Sequence, residues 1–204
     1  LISLLIALPL LLISLSVHEY AHAFAAFKQG DGFARFQGRL TINPLKHIDP
    51  VGFLMMLLVG FGWAKPVPIV PNNFKNGKKS MIIVSLAGII ANILLAFFAM
   101  NVMYFIAFII KPVSVFWDDV LSRALFNLTI INLALAIFNL IPVPPLDGYK
   151  VIRELFYTWN NRNFFETMDR YGNLILIGFL VLSYKTDIIY NTSLAVLNLM
   201  SKIC

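Results

Sequence analysis

His18-Glu19-Tyr20-Ala21-His22 sets two imidazoles four residues apart with a carboxylate directly after the first. Residues four apart on a helix project from the same face, so the two rings can grip one metal ion while Glu19 stands beside it without ligating it. The chemistry available to such a trio is hydrolytic. A metal such as Zn²⁺ lowers the pKa of its water toward about 7, and the neighbouring carboxylate takes up the proton and returns it to a leaving amine. Chance produces this pattern in a chain of this length about once in a hundred cases or less. The bland alternative is an inert helix whose histidines are satisfied at an interface. It is disfavoured because ionisable groups at the end of an apolar helix are costly unless paired or metal-bound.

A catalytic zinc takes three protein ligands and leaves a fourth position for water. Cys204 is the only cysteine, which excludes a cysteine-based cluster and an intrachain disulfide. The third ligand must therefore come from His47 or an acidic residue. Asp147 stands out, because it ends the run Asn139-Leu-Ile-Pro142-Val-Pro144-Pro145-Leu146-Asp147-Gly148. Proline interrupts a helix there and brings a carboxylate to the membrane edge, although the same residues could form an ordinary turn. Depth agrees with the first reading. At 1.5 Å per residue, His18 and His22 lie about 26–33 Å along a helix starting at Leu1, close to the far edge of a hydrocarbon core.

The elements that position these residues follow from composition. Of 204 residues, 59% are hydrophobic and 13% charged, and the mean hydropathy is +0.81. Soluble domains carry about 25% charge, so lipid, not water, is the main solvent. Apolar stretches long enough to span a bilayer recur at Leu1 to Phe27, Met81 to Ile110, Leu121 to Ile141 and Leu174 to Met200. The expectation is an all-α polytopic membrane protein, one membrane-embedded domain over residues 1–204 with about four transmembrane helices. The first stretch is not expected to be a secretory signal, since it lacks a basic start and carries His18, Glu19 and His22 where a cleavage site would fall.

Basic residues orient the bundle. Eight of them, from Lys28 to Lys79, lie between the first two stretches, and Lys150, Arg153, Arg162 and Arg170 lie between the last two. Both connections are therefore expected on the cytoplasmic side. Lys111 to Arg123, which also contains Asp118 and Asp119, would be external, with both termini outside and the metal site near the cytoplasmic face. The net charge of +6 reads as topology and contact with anionic lipid, not as a nucleic-acid surface. Val51 to Trp63 is apolar but too short to span comfortably, and reads as re-entrant or interfacial. Phe33 to Ile42 and Ala64 to Val70 read as short surface β-strands, and Asn160 to Tyr171 as a polar loop or surface helix.

On these residues the sequence resembles the site-2 protease family of intramembrane metalloproteases. The matching elements are His18 to His22, Gly88-Ile-Ile-Ala-Asn92 in the second stretch, and Asn139 to Gly148. Asn43 to Gly52 and Gly62 to Pro68 look like the compact bacterial branch without an appended regulatory domain. Ile89 stands where many relatives have proline, which bears on the local bend of that helix. The resemblance implies one Zn²⁺ held by His18, His22 and Asp147, Glu19 as catalytic base, and Asn92 and Asn139 lining the site. It implies an endopeptidase cutting in or near transmembrane segments of membrane proteins, such as a tethered transcription regulator or a remnant signal segment. A regulatory membrane partner or a homo-oligomer stays open.

Asn139 or Asn92 could donate to the developing oxyanion, although Asn92 with Gly88 equally suits close helix packing. His47 and Asp49 are expected to shape a loop. A helical substrate must unwind, so the strands at Phe33 to Ile42 and Lys65 to Val70 could receive it by β-addition, with Gly60 and Gly62 letting the re-entrant segment act as a gate. The competing functional classes are a non-proteolytic metal-binding transporter or scaffold, and a zinc protease of soluble peptides.

Overall fold

Uninterrupted apolar runs leave their backbone polar groups no partner but each other, and the chain answers with helices. The computed structural model describes residues 2–59, 62–109 and 115–202. Helices α1 (Ile2–Lys28), α4 (Gly77–Ile109) and α5 (Val115–Leu140) form the central bundle, joined by the shorter α2 (Phe33–Phe36) and α3 (Pro50–Val59). Helices α6 (Asp147–Phe156), α7 (Arg162–Thr186) and α8 (Ile188–Met200) complete the chain. Three helices are long and apolar enough to cross a bilayer, over Ile6–Lys28, Gly77–Phe108 and Val120–Leu140. The pair Trp159–Thr186 and Ile188–Met200 makes a fourth if counted as one span.

That fourth apolar stretch is not one rod. Asp187 adopts the left-handed conformation at φ 50°, which aspartate tolerates better than most residues, and α8 leaves α7 at 67°. The polar connection before it is a helix from Arg162 onward. On the other side, α5 begins at Val115 and so absorbs Asp118, Asp119 and Arg123, which were expected in a loop. Lys111, Gly60 and Cys204 lie outside the described residues.

The expected surface strands do not form. Phe33–Phe36 is a helical turn started by the Asp31 carboxylate, which accepts from the Phe33 amide at 3.1 Å. Residues 64–70 are extended, but among the described residues their one β-contact is an isolated antiparallel bridge between Ala64 and Ile48. Proline explains this, because Pro66 and Pro68 have no N–H to give to a ladder.

The two ends of Val51 to Trp63 lie against each other. A Cβ on Gly52 would collide with the Trp63 carbonyl, and one on Gly62 with the Gly52 carbonyl and with Met56 Cβ. The two ends of the segment thus touch, through backbones that only glycine allows so close. Gly62, expected at a gate, is here packed against α3. Asp49 caps that helix by accepting from the Gly52 amide at 2.8 Å.

In the bundle, α4 runs antiparallel to α1. Ser80 donates to Gln29 at one end, and Asn92 meets His18 further along. Small residues such as Ala96 and Ala99 let the helices approach. Helix α5 runs parallel to α1, pinned where Asn132 Nδ2 donates to Ser14 Oγ at 2.8 Å. Asp147 is thereby delivered to the level of His18 and His22.

Candidate metal centre

His18 and His22 stand one helical turn apart on the face of α1 turned toward α4 and α5, and both are buried. Their outer nitrogens are engaged. His18 Nδ1 lies 2.9 Å from Asn92 Oδ1, and His22 Nδ1 lies 2.7 Å from the Val84 carbonyl. Both partners are acceptors, so each ring carries its proton on Nδ1 and turns the lone pair of Nε2 inward.

Asp147 reaches them from the first residue of α6. Its Oδ2 is 3.2 Å from His18 Nε2 and 2.9 Å from His22 Nε2, and the two Nε2 atoms are 3.0 Å apart. Ligands on a tetrahedral ion with arms of about 2.0–2.1 Å sit roughly 3.3–3.4 Å from one another. The observed triangle is close to that size, and its donor set of two imidazoles and one carboxylate suits zinc. Three lone pairs aimed at one point repel, and a cation at that point turns the repulsion into binding. Among the described residues, no other three His, Cys, Asp or Glu side chains converge this way.

The surroundings protect the triangle. Gly88 of α4 faces it so closely that a Cβ there would lie 2.5 Å from His22 Nε2 and 2.7 Å from His18 Nε2. Gly148 lets α6 begin against the end of α5, where a Cβ would strike the Leu140 carbonyl. The outer oxygen of Asp147 receives the Lys150 ammonium at 2.8 Å. Behind, buried Tyr149 donates to Asp169 Oδ1 at 2.6 Å, and Gly172 packs on Pro144. Burial and the Asp169 hydrogen bond push the Tyr149 phenol up, so it stays protonated.

A cavity of about 620 Å³ opens on the triangle. Glu19 lines it, with Oε2 accepting from the Val67 amide at 2.8 Å. Phe53 and Met56 of α3, Phe138 of α5 and Leu180 of α7 give it an apolar wall.

The other sequence candidates divide. Asn139 lines the cavity, and its Nδ2 donates to Leu135 O at 2.9 Å, leaving a second N–H free. Asn92 sits behind His18, off the cavity and fully buried, which fits a ring-orienting partner and not an oxyanion donor. His47 stands apart from the triangle, its Nε2 donating to Thr41 O at 2.7 Å. Sequence reasoning missed Val84 and Val67, whose contributions are a carbonyl and an amide that no residue pattern advertises. It also missed Lys150, whose i, i+3 spacing from Asp147 was the available signal.

Fold and centre together define a multi-pass membrane protein with two histidines and an aspartate placed so that they could hold a metal ion. A model described as peptidase family M50 matches residues 106–183. The chain belongs to that family, the site-2 proteases. It is 42% identical over 149 residues to "Putative zinc metalloprotease YwhC" of Bacillus subtilis (strain 168), covering 71% of this chain and 66% of that protein. It is 33% identical over 143 residues to a protein of the same designation, Rip2 of Mycolicibacterium smegmatis, covering 68% of this chain and 52% of the relative. MJ0611 of Methanocaldococcus jannaschii, also so designated, is 30% identical over 151 residues, covering 70% and 66%. The chain thus spans between half and two-thirds of the length of these relatives. No solved structure matches significantly.

Proposed function

We propose that this chain is an intramembrane zinc endopeptidase that hydrolyses peptide bonds in or near the transmembrane segments of other membrane proteins. The observation that carries the reading is the triangle of His18 Nε2, His22 Nε2 and Asp147 Oδ2, with sides of 2.9–3.2 Å, beside the cavity that Glu19 lines. His18, His22 and Asp147 would hold the zinc, which when bound would supply Lewis acidity and lower the pKa of a water. Glu19 accepts the proton of the attacking water and hands it to the leaving amine. Asn139 offers its free N–H to the oxygen that gains charge, and Asn92 keeps the His18 ring in the ligating tautomer.

The apolar cavity suits a membrane-derived segment better than a soluble peptide. The distribution of lysine and arginine supports an active site at the cytoplasmic face. A transporter or scaffold would not need a carboxylate held beside the metal and facing a cavity. The test uses the full chain in vesicles with a model transmembrane substrate. Glu19→Gln is expected to keep its zinc and lose about 10²–10⁴-fold in cleavage. Zinc retention with cleavage undiminished would defeat the reading, and zinc binding without any cleavage by the unmodified chain would favour the scaffold.

A further inference from the structure

A buried arginine and a buried histidine lie close to the cavity without touching the metal triangle, and both act on one short extended segment. Arg39 and His47 are 6% and 2% exposed. Arg39 Nη2 donates to the Lys65 carbonyl at 2.6 Å and lies 3.4 Å from the Pro66 carbonyl. The Lys65 amide donates to the His47 carbonyl at 2.8 Å. Because His47 Nε2 gives its hydrogen to Thr41 O, its Nδ1 is left as an acceptor facing Arg39 Nη2 at 3.5 Å. Burying a cationic side chain favours partners for its donors, and Nη2 finds them in carbonyls of this segment, while the buried Nε has no hydrogen-bond partner among the described residues.

The other end is held as firmly. Asp31, fully buried, accepts from the Val70 amide at 2.7 Å and from Asn73 Nδ2 at 2.9 Å. Between the two anchors runs Pro66-Val67-Pro68, where the prolines leave a single N–H, that of Val67. A residue before proline is confined to extended conformations, so this amide needs no sheet to hold its direction. The Val67 side chain is buried against Ala23 and Ala34. The amide points at Glu19 Oε2, 2.8 Å away.

The geometry points to the Val67 backbone amide as the positioning group of the Glu19 carboxylate, with Arg39, His47 and Asp31 as the clamp that aims it. This rests on the reading of Glu19 as the base. Glu19 has three rotatable side-chain bonds beside an open cavity, and fixing Oε2 leaves Oε1 as the oxygen presented to the water. The His47 motif then serves catalysis through the backbone and not as a metal ligand. The same arrangement engages the Lys65, Val67 and Val70 amides within the protein.

The test compares Val67→Pro, which deletes one N–H and keeps an extended backbone, with Val67→Ala, which keeps the N–H. Both are made in the full zinc-loaded chain in vesicles with a model transmembrane substrate. Val67→Ala is expected within about threefold of the unmodified chain, and Val67→Pro about tenfold or more below it in kcat, with KM and zinc content unchanged. Equal kcat in the two variants overturns the proposal. Where Val67→Pro does not fold, amide exchange in valine-labelled chain decides. The Val67 amide is expected to exchange about tenfold or more slowly in the unmodified chain than in Glu19→Ala, and equal rates overturn the proposal. Should no chain cleave at all, the protease reading fails, and the exchange measurement still judges the contact by itself.

Discussion

Across the cavity from one another lie two walls made differently. On the α1–α4 side, His18 and His22 are each tied at Nδ1 to a fixed acceptor, and Gly88 leaves no slack against either ring. On the far side, α7 and α8 contribute Leu176, Leu180 and Ile189, break at Asp187 and expose apolar side chains such as Leu174, Ile177 and Leu182. A metal centre requires ligands fixed to within about 0.2 Å, which packing and outer hydrogen bonds supply. A wall that admits a chain from the bilayer requires no such precision. On the proposed reading, metal affinity belongs to α1, α4 and the start of α6, and access to α7 and α8.

Gly88→Ala tests the rigid wall most severely. A methyl group placed 2.5 Å from His22 Nε2 cannot be accommodated by either helix backbone, so the rings must turn away from the common point. Zinc affinity is expected to fall by about 100-fold or more, with cleavage lost in parallel. Zinc content measured per purified chain checks it, and a fully loaded Gly88→Ala chain would show that the rigid wall is not rigid.

Asn92→Ala sharpens the same point with a smaller effect. The ring of His18 keeps its place on α1 but loses the acceptor that fixes its tautomer, while His22 keeps the Val84 carbonyl. A loss of about 10–100-fold in zinc affinity is expected, the range for removing one outer-sphere partner. Competition with a graded chelator measures it. If Asn92 instead stabilised the oxyanion, turnover would fall while zinc affinity held.

What the residues announced beforehand follows the same division. His18, Glu19 and His22 were legible because helical periodicity alone puts them together, and Asp147 because a proline run after an apolar helix has few uses. The three central helices were legible from hydropathy. The alternation in Phe33 to Ile42 suggested a strand, but Asp31 supplies a helix-starting acceptor at the right place and local hydrogen bonding prevails. The break at Asp187 was hidden inside a stretch apolar enough to span. The Val84 carbonyl and the Val67 amide were beyond reach for another reason. Backbone groups belong to every residue, and only the fold chooses which of them meet a side chain.

The smallest expected effect is on the tether that joins the two walls. Tyr149, two residues after the proposed ligand Asp147, is hydrogen-bonded to Asp169 of α7, whose other oxygen lies 3.3 Å from Arg153 Nη2. Tyr149→Phe removes one hydroxyl and leaves the ring packed near Phe165. One hydrogen bond to a partly exposed carboxylate contributes about 1 kcal/mol, so a drop of a few degrees in Tm is expected. Zinc affinity should stay within about twofold, because Asp147 is also held by Lys150 and by the close seating of Gly148 on α5. Unfolding followed with and without chelator separates the two quantities. A Tyr149→Phe chain that loses zinc as readily as Asn92→Ala would mean that α7 helps set the ligand geometry, and that the two walls are one mechanical unit.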